Sequence, residues 1–337
     1  MSMLLRRGCV GLLVGSVVAA GAALPGAQSS AASVGGFERV VTLGDSYSSG
    51  TGSHADASDY DDHGPAGHFF SASERLGSSD CVRELDTTPG PRLADEFGAT
   101  AVFIACAGAV AAHIPNQIEA AQIVGDGTGT LVTVTVGGND IRTADSSTWS
   151  SVLVKCISSW RCDRSDGNQP DNLDGIRVAL TDLYSEIGDQ YPGITVRILG
   201  YPRLMQSDRW CEGVGGISRS EANWIDAQAD RLNAQIRGAA VAARLATGTD
   251  IQFVSVVEEF NNHGACRFWQ RDRYVHDTVF GETLKRSMTE DGEIHDHWSD
   301  GLFNISASSF HPSSKGYDAY YAALKDSLSV TTGAALP

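Results

Sequence analysis

The stretch Glu38-Arg39-Val40-Val41-Thr42-Leu43-Gly44-Asp45-Ser46-Tyr47-Ser48-Ser49-Gly50 decides how this 337-residue chain is read. Glu38 to Leu43 is a short apolar and β-branched run, nearly continuous rather than alternating, as a strand covered on both faces requires. A small residue and a serine then follow at once, which places the Ser46 hydroxyl at the carboxyl edge of a sheet, where open α/β folds hold their ligands. Four more runs of the same kind occur at Thr100 to Ala105, Leu131 to Val136, Ile194 to Leu199 and Ile251 to Val256. Between them lie helical patterns. From about Ser218 to Leu245, Ile225, Ala229, Leu232, Ile236, Ala240 and Ala243 recur at spacings of three and four, and from Leu173 to Gln190 the inward set is Ile176, Leu180, Leu183 and Ile187, with a stop at Pro192-Gly193. Alternation of strand and helix with parallel pairing predicts a three-layer α/β/α sandwich, and one domain suffices for residues 33–337. Residues 50–80 and 260–310 resist this pattern and are expected to be long loops.

Ser46 does not sit in the G-x-S-x-G elbow of α/β-hydrolases, because Ser48 takes the place of the second glycine. Alone, it would read equally well as a helix N-cap. It is not alone. The second strand runs into Cys106-Ala107-Gly108-Ala109 and the third into Gly137-Gly138-Asn139-Asp140, so a tight glycine turn follows each of the first three strands. Ser309-Phe310-His311-Pro312 precedes the last helical pattern, about Ser314 to Leu328.

With Ser, Gly, Asn and His in this order, the chain resembles the SGNH (GDSL-type) hydrolase family. Tyr201-Pro202-Arg203-Leu204, Asn262-His263-Gly264-Ala265-Cys266 and the cysteine layout extend the resemblance to secreted actinobacterial lipases, phospholipases and esterases over nearly all of residues 33–337. The resemblance implies a flavodoxin-like five-stranded parallel sheet of order 2-1-3-4-5, with Ser46 and Asn139 facing each other across the switch point between strands 1 and 3. It also implies roles. Ser46 is expected to be the nucleophile and His311 the general base. The backbone amides of Ser46 and Gly108 and the side-chain amide of Asn139 are expected to form the oxyanion hole, with no metal or cofactor.

The sequence departs from the family at one place. Many members carry an Asp three residues before the histidine, and here that position is Ser308. A Ser-His dyad is therefore expected, with the main-chain carbonyl of Ser308 as first candidate to orient His311 and Asp300 and Asp296 as more distant ones. Activity should then fall below about pH 6 as the imidazole protonates. His54, His63, His68, His113, His263, His276, His295 and His297 compete with His311 by residue type only, although His263, beside Cys266, could shape the substrate cleft or simply pack.

Arg6 and Arg7, the apolar run Gly8 to Leu24 and the small residues Ser30 and Ala32 describe a secretory signal peptide cleaved near Ala32, with a retained membrane anchor as the alternative. Removing residues 1–32 takes away Cys9 and leaves Cys81, Cys106, Cys156, Cys162, Cys211 and Cys266. In an oxidising compartment six cysteines allow fifteen connectivities, and pairing of sequence neighbours gives Cys81–Cys106, Cys156–Cys162 and Cys211–Cys266. No C-x-x-C pair supports a zinc site.

Lys plus Arg number 25 against 41 Asp plus Glu, a formal charge of −16. Without the two leader arginines it becomes 23 − 41 = −18. Such a chain has no electrostatic footprint for nucleic acid or for an anionic bilayer, so a lipid substrate would be met through apolar loops. The acidic run after Gly52 (Asp56, Asp59, Asp61, Asp62) lacks the alternation of a calcium loop and reads by default as solvated. The expected protein is thus a secreted, monomeric ester hydrolase acting on a small-molecule or lipid ester. A carbohydrate O-deacetylase or acyltransferase on the same dyad, and a non-catalytic binding protein, are the alternatives. Tyr47, Phe69, Phe70, Trp210 and Trp269 are candidate groove residues.

Overall fold

A computed structural model describes residues 36–53, 83, 86–158, 161–206, 211, 216–266, 272–277, 283–288, 294–299 and 309–332. The leader, Cys81, most of the 50–80 segment, Asp300, Ser308, Phe69, Phe70, Trp210 and Trp269 lie outside the described residues.

Five strands, β1 (Arg39–Gly44), β2 (Thr100–Phe103), β3 (Thr130–Thr135), β4 (Thr195–Leu199) and β5 (Asp250–Val254), form an all-parallel sheet of order β2-β1-β3-β4-β5. This is the expected topology. The register sets Leu43 beside Val134 and Gly44 beside Thr135, so β1 and β3 end level with each other. Successive residues of a strand face opposite sides, and the core divides accordingly. Val40 and Leu131 belong to one apolar cluster, and Val41, Leu43, Val132 and Val134 to the other.

The helices are α1 (Ser46–Ser49), α2 (Pro89–Phe97), α3 (Ile114–Ala121), α4 (Trp149–Ser158), α5 (Leu173–Gln190), α6 (Arg219–Thr247) and α7 (Ser314–Thr332). Leu93 of α2 with Tyr320 and Leu324 of α7 cover the first face, while Ile114 of α3, Leu180 and Ile187 of α5 and Ile236 of α6 cover the second. Burial of these large side chains on both faces, at about 25 cal/mol per Å² of apolar area, is what holds the three layers together. α6 starts where a capping box forces it to: Ser218 Oγ accepts from the Glu221 amide at 3.3 Å, and the Glu221 carboxylate accepts from the Ser218 amide at 2.8 Å. The other Glu221 oxygen accepts from the Cys162 amide at 2.8 Å, which ties the segment after α4 to the head of α6.

Two of the expected disulfides are present, Cys156–Cys162 and Cys211–Cys266. Cys106 is also disulfide-bonded, and Cys81, the partner expected for it, is outside the described residues. The 260–310 segment is not simply loop. Thr283–Met288 (β6) and Ile294–Ser299 (β7) pair antiparallel as a separate two-stranded ribbon. Asp296, His295 and His297 lie on β7.

Candidate active site

The site begins at the end of β1. Gly44 has φ +119, and a Cβ there would stand 2.3 Å from the carbonyl oxygen of Thr135, so only glycine lets β1 close on β3 at this point. Asp45 then caps α1: its Oδ1 accepts from the Tyr47 amide at 2.9 Å, and the chain turns so that Ser46 heads the helix. The Ser48 hydroxyl accepts from the Thr135 amide at 2.9 Å and fastens the short helix to β3. Ser46 is therefore held on a fixed turn rather than a free loop.

His311 arrives from the far end of the chain, just before α7. Its Nε2 is 2.7 Å from Ser46 Oγ, and its Nδ1 is 3.1 Å from the main-chain oxygen of Ser309. If Nδ1 carries the proton and donates it to this carbonyl, Nε2 is left with a lone pair for the serine hydroxyl. Ser308, the first candidate from sequence, lies outside the described residues, and the carbonyl seen here is that of Ser309. Phe310 supplies the reason: its φ of +62 is left-handed, and this reverses the chain so that the ring of residue 311 folds back on residue 309. The Phe310 carbonyl accepts from the Tyr47 hydroxyl at 2.7 Å. The Phe310 amide donates to His276 O, the His276 amide donates to His311 O, and the His276 ring contacts Gly52 O at 2.7 Å. His276 thus clamps the loop that carries His311.

After β2 the chain stays near β1, because the Cys106 amide donates to Gly44 O at 2.9 Å. Gly108 follows with φ +80, a conformation other residues rarely adopt. After β3, Gly138–Asp140 form one turn of 3₁₀ helix. Asn139 Nδ2 donates to the Ala109 carbonyl at 3.1 Å, and the Asp140 carboxylate accepts from the Ala111 amide at 3.0 Å, so the glycine turn after β2 and the asparagine turn after β3 are latched together. An amide carries two N–H groups, and Asn139 keeps its second for another acceptor.

Ser46, Gly108, Asn139 and His311 all line one cavity of about 390 Å³. Its remaining wall is mostly apolar, from Ile141, Trp149 and Leu153 to Leu204, Leu232 and Phe310. Asp45 is buried beneath it at 1 % exposure, and that burial, with the Asp140 charge adding to it, raises its pKa to about 7 against the pull of hydrogen bonds from Tyr201 and the Tyr47 amide. Among the described residues no group of His, Cys, Asp and Glu is placed to hold a metal ion.

Comparison with known proteins agrees with this layout. The chain is 32 % identical to Lipase 1 of Streptomyces coelicolor over 264 residues, covering 76 % of this chain and 84 % of that protein. It is 30 % identical to a lipase of Streptomyces rimosus over 227 residues, covering 67 % and 72 %. The chain belongs to the SGNH (GDSL-type) hydrolase family. It is a carboxylic ester hydrolase. Among solved structures the fold is shared with phospholipase A1 of Streptomyces albidoflavus (24 % identity, TM-score 0.60, 86 % of this chain and 99 % of that one) and with the extracellular lipase of S. rimosus (23 %, TM-score 0.55, 86 % and 98 %). No family model matches the chain.

Within this SGNH hydrolase the residues singled out from sequence divide clearly. Ser46, Gly108, Asn139, His311 and Tyr47 meet at one cavity. His263 does not: its ring stacks on Tyr274 at 3.9 Å, and its Nδ1 contacts Asp272 O, so it packs rather than shapes the cavity. His113 is exposed at the head of α3, and His276 serves the backbone of the His311 loop. Trp149, which sequence did not single out, lines the same cavity. Tyr201, quoted from sequence only as part of Tyr201-Pro202-Arg203-Leu204, and His276, weighed there only as a rival to His311, hold the turns around the site.

Proposed function

We propose that this protein is a secreted lipase- or esterase-type serine hydrolase that works through an acyl-enzyme on Ser46, with His311 as its base. The observation that carries this is the 2.7 Å contact of Ser46 Oγ with His311 Nε2 at the polar end of an otherwise apolar cavity. In the first half-reaction Nε2 takes the hydroxyl proton as Oγ bonds to the ester carbonyl carbon. The oxyanion that forms is met by the amides of Ser46 and Gly108 and by the second N–H of Asn139. None of these donors needs a change of charge or position when the negative charge develops. Collapse breaks the bond to the alcohol, which leaves with the proton from Nε2. Water, activated by the same nitrogen, then releases the acid and regenerates the serine.

The apolar lining favours an acyl chain over an acetyl group, and with it a lipid-like ester over an acetylated glycan. The net charge of −16 works against electrostatic attraction to anionic bilayers. Export is supported by the leader pattern of residues 1–32 and by disulfides that persist in oxidising compartments. Among the described residues no helix is long and apolar enough to cross a membrane.

A serine-directed alkyl phosphonate mapped by peptide mass spectrometry tests the mechanism. Ser46 should be the labelled residue, and Ser46→Ala should be neither labelled nor active. Label on any other serine overturns the assignment. Hydrolysis rates on p-nitrophenyl esters of increasing chain length, beside a phospholipid and an acetylated glycan, test the substrate class.

A further inference from the structure

Tyr201 follows β4, yet its hydroxyl reaches across to the switch point between β1 and β3. It donates to Asp45 Oδ2 at 2.5 Å and accepts from the Gly138 amide at 2.9 Å. Asp45 is the residue before Ser46, and Gly138 is the residue before Asn139. One oxygen atom therefore spans the two turns that carry the nucleophile and the oxyanion donor. The tyrosine is itself held: its amide donates to Asn233 Oδ1 at 2.9 Å, and Asn233 Nδ2 donates back to its carbonyl at 2.7 Å. Asn233 lies on α6, so the chain of bonds runs from a long packed helix to the reacting groups. The Tyr201 ring is edge-on to Tyr47 at 5.1 Å and is only 6 % exposed, which leaves it little freedom. The O–H of this hydroxyl is spent on Asp45 and its oxygen already accepts from Gly138, so its proton is not waiting for substrate.

The geometry points to Tyr201 as a positioning residue that sets the distance between Ser46 and Asn139, and so the fit of the site to the tetrahedral intermediate rather than to the bound ester. This rests on Ser46 and Asn139 acting as proposed above. Asp45 caps α1 and Gly138 opens the 3₁₀ turn, and the strand register of β1 with β3 ends at Gly44 and Thr135, with one further main-chain bond from the Asp45 amide to Thr135 O at 2.9 Å. Beyond that point Tyr201 takes over the role of the ladder. An error on the order of 1 Å between reacting groups costs about a hundredfold in rate, whereas ground-state binding of an acyl chain depends on the apolar wall.

The test compares wild type, Tyr201→Phe, Gly138→Ala, Asn139→Ala and Ser46→Ala. Tyr201→Phe deletes the bridge. Gly138→Ala keeps every hydrogen-bonding group but sets a Cβ 3.1 Å from the tyrosine ring and pushes the two turns apart. For both, kcat on p-nitrophenyl butyrate should fall about tenfold to a hundredfold with KM within about twofold. The inhibition constant of butaneboronic acid, which forms a tetrahedral adduct on a serine, should rise by the same factor. In an Asn139→Ala background, Tyr201→Phe should cost less than about threefold, because the donor it places is gone. Wild-type kcat in both bridge variants, a change confined to KM, or additive losses with Asn139→Ala would overturn the assignment. If Ser46→Ala is inactive while the bridge variants are normal, the positioning role alone fails. If Ser46→Ala keeps its activity, the proposed mechanism fails and takes Tyr201 with it.

Discussion

His311 Nδ1 lies 3.1 Å from the main-chain oxygen of Ser309, two residues back along the chain. A neutral carbonyl fixes the tautomer of the imidazole as a carboxylate would, but it stabilises the imidazolium less. The base must therefore be neutral to begin the reaction and gains little help once it is charged. We expect kcat/KM to rise with pH as one proton is lost and then to stay level. His311→Ala should lower kcat about ten-thousandfold with phosphonate labelling abolished. A pH profile that is flat from 5 to 8 would count against His311 as the base.

Asn139 lines the cavity and donates one amide N–H to the Ala109 carbonyl. Asn139→Ala removes one of the three proposed oxyanion donors, and the expected cost is about a hundredfold to a thousandfold in kcat. KM should change little, since the donor is aimed at charge that the substrate lacks before attack. A rise in KM with kcat unchanged would show that Asn139 binds ground-state ester instead.

The sheet, and the residues that gather at the candidate site, were legible in the sequence because each depends on short contiguous signals. The Leu173–Gln190 helix matches its expected bounds, and Arg219–Thr247 starts where its Ser218/Glu221 box requires. Ser46, Gly108 and Asn139 each follow a strand that periodicity exposes, and His311 precedes the last helical pattern. What stayed hidden has other causes. α4 is rich in Ser, Val and Ile, residues of weak helix propensity, and it lies beside a disulfide whose effect no periodicity reveals. The ribbon of β6 and β7 was missed because its two six-residue strands lie inside a long irregular segment. The contact of His311 with the Ser309 carbonyl turns on one left-handed Phe310, and nothing in the identity of a phenylalanine announces that. The contact of Tyr201 with Asp45 joins residues 156 apart and exists only once β1, β3 and β4 are in register.

The disulfides Cys156–Cys162 and Cys211–Cys266 close loops of very different length, with sequence separations of 6 and 55. In the chain-entropy account the longer loop loses more freedom when crosslinked, roughly 4 kcal/mol against roughly 2. Cys211–Cys266 also joins segments that pair through the backbone, with the Cys266 amide donating to Met205 O and the Ala265 amide to Leu204 O. Replacing Cys211 and Cys266 by Ser should therefore lower the unfolding free energy about twice as much as replacing Cys156 and Cys162. Denaturant titration of both pairs measures this, and equal losses would point to native-state effects in place of loop closure.

Ala229 on α6 lines the cavity and is only half-buried, so a larger side chain there has room to enter the acyl space. Ala229→Phe should leave p-nitrophenyl acetate hydrolysis within about threefold of wild type. It should depress the long-chain esters, because one extra ring fills volume that the chain would occupy and removes its apolar contacts. The measured quantity is kcat/KM against chain length, and an unchanged profile would place the acyl chain elsewhere.

Asp45 links the site to stability. Its folded-state pKa of about 7 lies above the ordinary 3.8, because burial disfavours the charged carboxylate. Below the lower value the group is protonated whether the chain is folded or not, and folding loses nothing. As pH rises between the two values the unfolded chain ionises freely while the folded one resists, so the folded state binds the extra proton and stability declines. Above about pH 7 both forms are ionised and the full penalty, on the order of 4 kcal/mol, is in place. Asp45→Asn has no such titration. The difference in unfolding free energy between the Asn variant and wild type should move in favour of the variant as pH is raised from 4.5 to 8, as read from urea titrations at each pH. Movement in the opposite direction would mean that hydrogen bonds from Tyr201 and the Tyr47 amide outweigh burial and hold Asp45 charged.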